Sequence, residues 1–155
     1  MIGDPALKLA LPQMQIVTDS INGIEASVYT DTIQALSKVT INGHVQDHLG
    51  VKMTGFNGVL YPSVFDKPKS RFTLSNDGPG ESPVKEFDTQ TAKVYNGKAS
   101  VVNGEFEFTF IVPKDIDYSI DYGKISYYGE NGSIDANLAI DVSVTGSATL
   151  SDQSV

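Results

Sequence analysis

The chain contains no cysteine. That excludes disulfides, thiolate metal sites and any cysteine nucleophile from these 155 residues. It leaves the redox compartment open, because exported bacterial domains also do without cysteine. Tryptophan is absent too, and basic residues are few. Eleven Lys and Arg stand against nineteen Asp and Glu, for a formal charge of -8. The only mild basic cluster is Lys67–Arg71. Nucleic-acid binding needs a positive face to neutralise phosphates, so this composition argues against it. No apolar run approaches the ~20 residues of a membrane-spanning helix. No basic and apolar leader opens the chain, as expected of a mature or excised piece of an exported protein.

What is present has a period of two. Ile134, Ala136, Leu138, Ile140, Val142 and Val144 share one parity, with Asp135, Asn137, Asp141, Ser143 and Thr145 on the other. That is a strand with one wet face. Phe106, Phe108, Phe110 and Val112 repeat the pattern, as do Val39, Ile41, Gly43 and Val45, and more briefly Leu7, Leu9 and Leu11. Helical spacing is scarce; Thr32–Leu36 could make about one turn.

Turn chemistry agrees. Asn-Gly begins at Asn22, Asn42, Asn57, Asn96, Asn103 and Asn131. The pair favours tight hairpins because both residues accept positive φ. Apolar parity runs unbroken across Asn42-Gly43, so Gly43 is expected inside a strand, where a bulge or a close backbone needs it. Asn57-Gly58 is expected to be similar, while Asn96, Asn103 and Asn131 are expected at hairpins or bends. Residues 94–113 then read as a meander. Residues 66–88, with Pro68, Pro79 and Pro83, read as loop around one short strand, Arg71–Leu74, and 112–123 as a long acidic connection. The spacing predicts an all-β sandwich of roughly seven to nine antiparallel strands, with an open barrel as the structural alternative. The expected organisation is a linker or first strand over 1–12, the sandwich over 13–146, and a tail over 147–155.

No constellation points to a specific chemistry. Asp115, Asp117, Ser119 and Asp121 alternate, and oxygen ligands gathered on one side suit Ca²⁺. However, Ile120 and Ser126 stand where an EF-hand loop needs glycine and glutamate, which favours a solvated acidic loop. His44 and His48 are four residues apart, but strand and turn surroundings do not give them one helical face. They read as an exposed hairpin pair. The acids show no paired spacing around a cleft, as glycoside hydrolysis requires. No nucleophile elbow or phosphate loop is present. Tyr118, Tyr122, Tyr127 and Tyr128 could stack on sugars or anchor a partner, yet alternation buries part of such a set. Asn131 opens a formal glycosylation sequon. No catalytic, cofactor-binding or metal residue is assigned, and no cofactor is expected.

Two resemblances extend this reading. Asp121, Gly123 and Tyr127 are similar to the Asp-x-Gly-x-Tyr-x-Cys run that enters strand F of immunoglobulin domains, with Ile125 in place of its tyrosine and Tyr127 in place of its cysteine. More broadly, "GDPALKLALP", "VTDSING", "TDTIQALSKVTINGHVQD", "FNGVLYPSVFDKP" and "GEFEFTFIVPKDIDYSIDYGKISYY" resemble the region that follows the catalytic domain in type IX secretion system sortases, gingipain-family cysteine peptidases of Bacteroidetes. The likeness runs from Gly3 to about Ala136. It implies an immunoglobulin-like domain at the cell surface of a Gram-negative bacterium. The peptidase cysteine and histidine would lie upstream, and none maps here. The implied role is a brace, spacer or docking surface, with the upstream peptidase domain, other secretion components or cargo as partners. On this reading Met1 is a cut start, Gly3-Asp4-Pro5 a hinge, and Leu7, Leu9 and Leu11 a strand or linker facing a neighbour. A carbohydrate-binding or adhesive module is the alternative, and a small acid-pair hydrolase the third.

Overall fold

The computed structural model describes residues 11–146 apart from 79, 117 and 118. Its strands are β1 (Met14–Ile21), β2 (Ile24–Glu25), β3 (Ile33–Gln34), β4 (Lys38–Gln46), β5 (Gly58–Phe65), β6 (Lys69–Phe72), β7 (Glu86–Thr89), β8 (Lys93–Asn96), β9 (Ala99–Val102), β10 (Glu105–Ile111), β11 (Asp121–Glu130) and β12 (Asp135–Thr145). One 3₁₀ turn, Ala26–Val28, is the only helical element among the described residues. Thr32–Leu36 is not a helical turn: Ile33 and Gln34 pair with Val144 and Thr145, and Leu36 takes a φ of 63° that no right-handed helix allows.

Alternation places the core. Along β10 every second residue is buried, so Phe106, Phe108 and Phe110 point inward while Glu105, Glu107 and Thr109 meet water. β4 does the same with Val39, Ile41, Gly43 and Val45. Tyr95 stacks at 4.7 Å on Phe110 and 5.9 Å on Phe108, closing an aromatic row. Each such ring adds roughly 1.5–3 kcal/mol by leaving water.

The strands form a circuit of seven: β1, β4, β10, β9, β5, β11 and β12, the last returning to β1. The run β1-β4-β10-β9 faces β5-β11-β12, which is the four-and-three grouping of a constant-type immunoglobulin sandwich. The all-β expectation holds, but the sheet is mixed. Met14 and Gln15 run parallel to Ala136 and Asn137, and β3 also runs parallel to β12. These parallel contacts join strands at opposite ends of the chain, which local turn signals cannot report. At the other seam β9 bonds to β5.

Several glycines are required by close approach. A Cβ on Gly43 would strike the Val17 carbonyl and the Phe106 ring, where β1 bulges between Thr18 and Ser20. Gly43→Ala should therefore destabilise the fold by about 1–3 kcal/mol in urea titration; an unchanged midpoint would contradict this packing. Asn22-Gly23 and Asn103-Gly104, at φ 52°/80° and 52°/77°, are two-residue hairpin turns. Asn131 closes the β11–β12 loop by accepting from the Ser133 and Ile134 amides.

Asn96-Gly97 turns nothing. β8 and β9 lie end to end along β5, sharing one register from Gly58 to Val64 across a break opposite Pro62, with a shift only at Phe65. The Gly97 amide bonds to the Pro62 carbonyl, and proline has no N–H to answer with, so the ladder breaks there. The expected meander thus begins at β9. Leu11 is exposed and outside any strand, while Leu7 and Leu9 lie outside the described residues.

Candidate functional site

Residues 66–88 are more than loop. Asp66 and Lys67, at 4% and 3% exposure, are buried at the end of β5. The Lys67 ammonium lies 3.4 Å from an Asp66 carboxylate oxygen and donates to the Ser119 carbonyl at 2.8 Å. It thereby ties the long 112–120 connection to the sandwich. The Asp66 carboxylate accepts from the Lys67 amide at 2.8 Å. This dipeptide is a fixed base from which the chain leaves the body.

Beyond it, β6 and β7 form a two-stranded ribbon separate from the main sheet. Lys69 pairs with Thr89, Ser70 with Asp88, Arg71 with Phe87 and Phe72 with Glu86. The Thr73 amide bonds to the Lys85 carbonyl at 2.9 Å, extending the pairing. Cross-strand partners share a face, so the ribbon has two unlike sides. One carries Lys69, Arg71, Lys85 and Phe87. The other carries Phe72, Leu74 and Val84 beyond Glu86 and Asp88. Phe72, Leu74, Val84 and Phe87 are 62%, 76%, 58% and 45% exposed. A lone two-stranded ribbon is marginal in water, and large apolar side chains gathered on one mark an interaction surface. Only Arg71–Leu74 was expected as strand here. The missed partner is legible in the match of "KSRFTL" to "VKEFDT", but Pro79, Pro83 and the glycines between them mask it.

The other candidates are dispersed. His44 sits on β4 with Nδ1 2.9 Å from both Asp19 carboxylate oxygens. Glu105, directly across from His44, accepts from Lys52, whose ammonium holds the Glu105 carboxyl below its ordinary range. His48 lies in the turn after β4, where the Asp47 carboxylate accepts from the Leu49 and Val51 amides. Those backbone bonds lower the Asp47 pKa. Asp115 is in a turn, and Asp121 opens β11 with its carboxylate on the Tyr122 amide. Asp117 and Tyr118 lie outside the described residues. No group of three His, Asp or Glu among the described residues is placed to hold a metal ion.

Strand alternation splits the tyrosines. Tyr127 is 2% exposed and crosses the sandwich, packing edge-on against Phe108 at 6.2 Å and accepting a hydrogen bond from Thr18 of β1 at 3.1 Å. It therefore bridges the two sheets from the position where antibody domains carry the strand-F cysteine. Burial pushes its phenol up to about 12, against the smaller opposing effect of the Thr18 bond. Tyr128 points outward, 6.2 Å from Tyr61, over which Lys98 places its ammonium. Tyr122 is exposed at the far end of β11.

Fold and surface together define an immunoglobulin-like β domain with an exposed amphipathic ribbon and no assembled catalytic group among the described residues. No protein-family model matches the chain, and no curated protein matches it by sequence. Among solved structures, it is similar to part of dimeric latent PorU from Porphyromonas gingivalis. The match covers 98% of this chain at 29% identity, with a TM-score of 0.72. It spans only 14% of that longer chain. With no cysteine, this chain carries no cysteine-peptidase nucleophile. A looser likeness to the sporulation control protein Spo0M of Bacillus subtilis, at 16% identity and TM-score 0.45 over 87% of this chain and 50% of that one, adds nothing to the argument.

Proposed function

We propose that this chain is a non-catalytic immunoglobulin-like domain of a type IX secretion sortase at the bacterial surface, which braces the cysteine peptidase domain or docks partners through the β6–β7 ribbon. The observation that carries this reading is the ribbon itself. Phe72, Leu74 and Val84 project from one face and stay mostly exposed, and a match to 14% of PorU leaves ample chain to supply cover. Burying those side chains against a neighbour would contribute several kcal/mol.

The test replaces Phe72, Leu74 and Val84 with serine. In the isolated domain the melting temperature should barely move, because these side chains are already in water. In the full-length parent, cargo processing or parent stability should fall severalfold. A parent that processes cargo normally with this triple change, and with the whole domain removed, would sink the proposal.

The Tyr61–Tyr128 pair with Lys98 above it favours a second reading, a carbohydrate-binding or adhesive surface. Glycan-array binding lost on Tyr128→Ala would support it. A silent array from folded protein would count against it.

A further inference from the structure

β12 has an edge that the fold leaves open in its middle. On the side away from β11, β1 pairs with Ala136 and Asn137, and β3 with Val144 and Thr145. Between these two parallel contacts, the stretch 138–143 has no strand partner among the described residues. Backbone direction follows from its neighbours. The Ala35 amide bonds to the Thr145 carbonyl on the β3 side, whereas Lys67 reaches the Val144 carbonyl from the other side. The β11–β12 register is unbroken from Asp135 to Val144. Parity then turns the N–H and C=O groups of Ala139, Asp141 and Ser143 toward the gap. Free edges are normally blunted with charges, proline or a bulge; 138–143 has the single charge of Asp141 and neither proline, lysine nor bulge.

A cavity of about 300 Å³ opens against the same stretch. Ile21, Ile140 and Val142 make its apolar floor, and Asp31 and Asp141 stand at its rim with no lysine or arginine lining it. Lys124, the cross-strand neighbour of Asp141, directs its ammonium over the Phe65 ring instead, 5.1 Å from the centroid. A bond of 3.1 Å between the Thr32 and Ser143 hydroxyls closes the slot at the β3 end.

We propose that this gap receives a short extended segment of a partner protein, which pairs with the Ala139–Ser143 edge, seats alternate apolar side chains on the Ile140 floor and places a lysine or arginine beside Asp141 and Asp31. Strand addition supplies the main-chain bonds and the pocket the selectivity. The site lies on β12 rather than on the ribbon, so it stands or falls independently of the sortase reading.

The test titrates the chain with the acetylated peptide amide Thr-Val-Arg-Val-Thr and follows backbone amide NMR shifts. The largest shifts should fall on Ala139, Asp141 and Ser143. Glutamine in place of the peptide's arginine should weaken binding about tenfold, as should Asp141→Asn, through loss of the charge-assisted bond. Ala139→Pro should abolish pairing while sparing the β11 ladder, because that N–H faces the gap. Should that variant misfold, Asp141→Asn carries the test alone. Three results would overturn the proposal: shifts confined elsewhere, equal binding of the glutamine peptide, or the Ala139, Asp141 and Ser143 amides already protected without peptide, which would place this chain's own residues in the slot.

Discussion

Lys67→Met is expected to lower stability by about 3–5 kcal/mol, the usual effect of removing one partner of a buried ion pair. The side chain is almost wholly enclosed, with its ammonium shared among the Asp66 carboxylate and the carbonyls of Ser119 and Val144. Methionine fills similar space but supplies no donor. The Asp66 carboxylate loses a compensating charge in a dry site, and two carbonyls lose a partner. The damage should be local before it is global: the amides of Ser119 and Ile120, next to the lost contact, should exchange at least tenfold faster at a temperature where the sandwich is intact. Urea unfolding gives the stability change. A loss under about 1 kcal/mol would mean that the pair is structurally dispensable.

Tyr127→Ala should be as costly, about 3–5 kcal/mol, by emptying the centre of the sandwich. Tyr127 touches both Phe106 and Phe108 from the opposing sheet, and its hydroxyl meets Thr18. Tyr127→Phe separates the two contributions. It keeps the ring and deprives a buried Thr18 hydroxyl of its partner, for about 1–3 kcal/mol. The pH dependence carries a further signature. The folded phenol is held neutral up to about 12, whereas an unfolded tyrosine ionises near 10. The unfolded chain therefore binds fewer protons between those values, and stability should fall as pH rises from about 10 to about 12. That alkaline slope should shrink in Tyr127→Phe. Equal slopes in both proteins would show that other groups govern it.

Much of the sandwich is legible in the sequence because strand parity is a direct record of which face is wet. Phe106–Phe110, Val39–Val45 and Ala136–Val144 each announce an inward and an outward side. The in-strand role of Gly43 follows from the same parity, carried across an Asn-Gly pair that elsewhere makes turns. Other features depend on distant residues. Pro62 interrupts β8–β9, so Asn96-Gly97 looks like a turn although the chain continues straight. The parallel closure of β12 on β1 joins segments more than a hundred residues apart. Lys67 reads only as part of a mild basic cluster in a loop-like stretch, since nothing adjacent shows that two carbonyls from distant segments will surround it. The ribbon is hidden because its turn is long and rich in glycine and proline. The acidic alternation from Asp115 to Asp121 is plain, but Asp121 is drawn into β11, and spacing alone says nothing of that.

On the proposed reading, another part of a larger protein covers this domain along its ribbon. Hydrogen exchange at the β6–β7 amides, compared between the isolated chain and the full-length parent, tests it most directly. The account predicts rapid exchange at Arg71–Leu74 and Val84–Phe87 in isolation, slowed at least tenfold in the parent, with β4 and β10 equally protected in both. Identical exchange of the ribbon in the two proteins would contradict it.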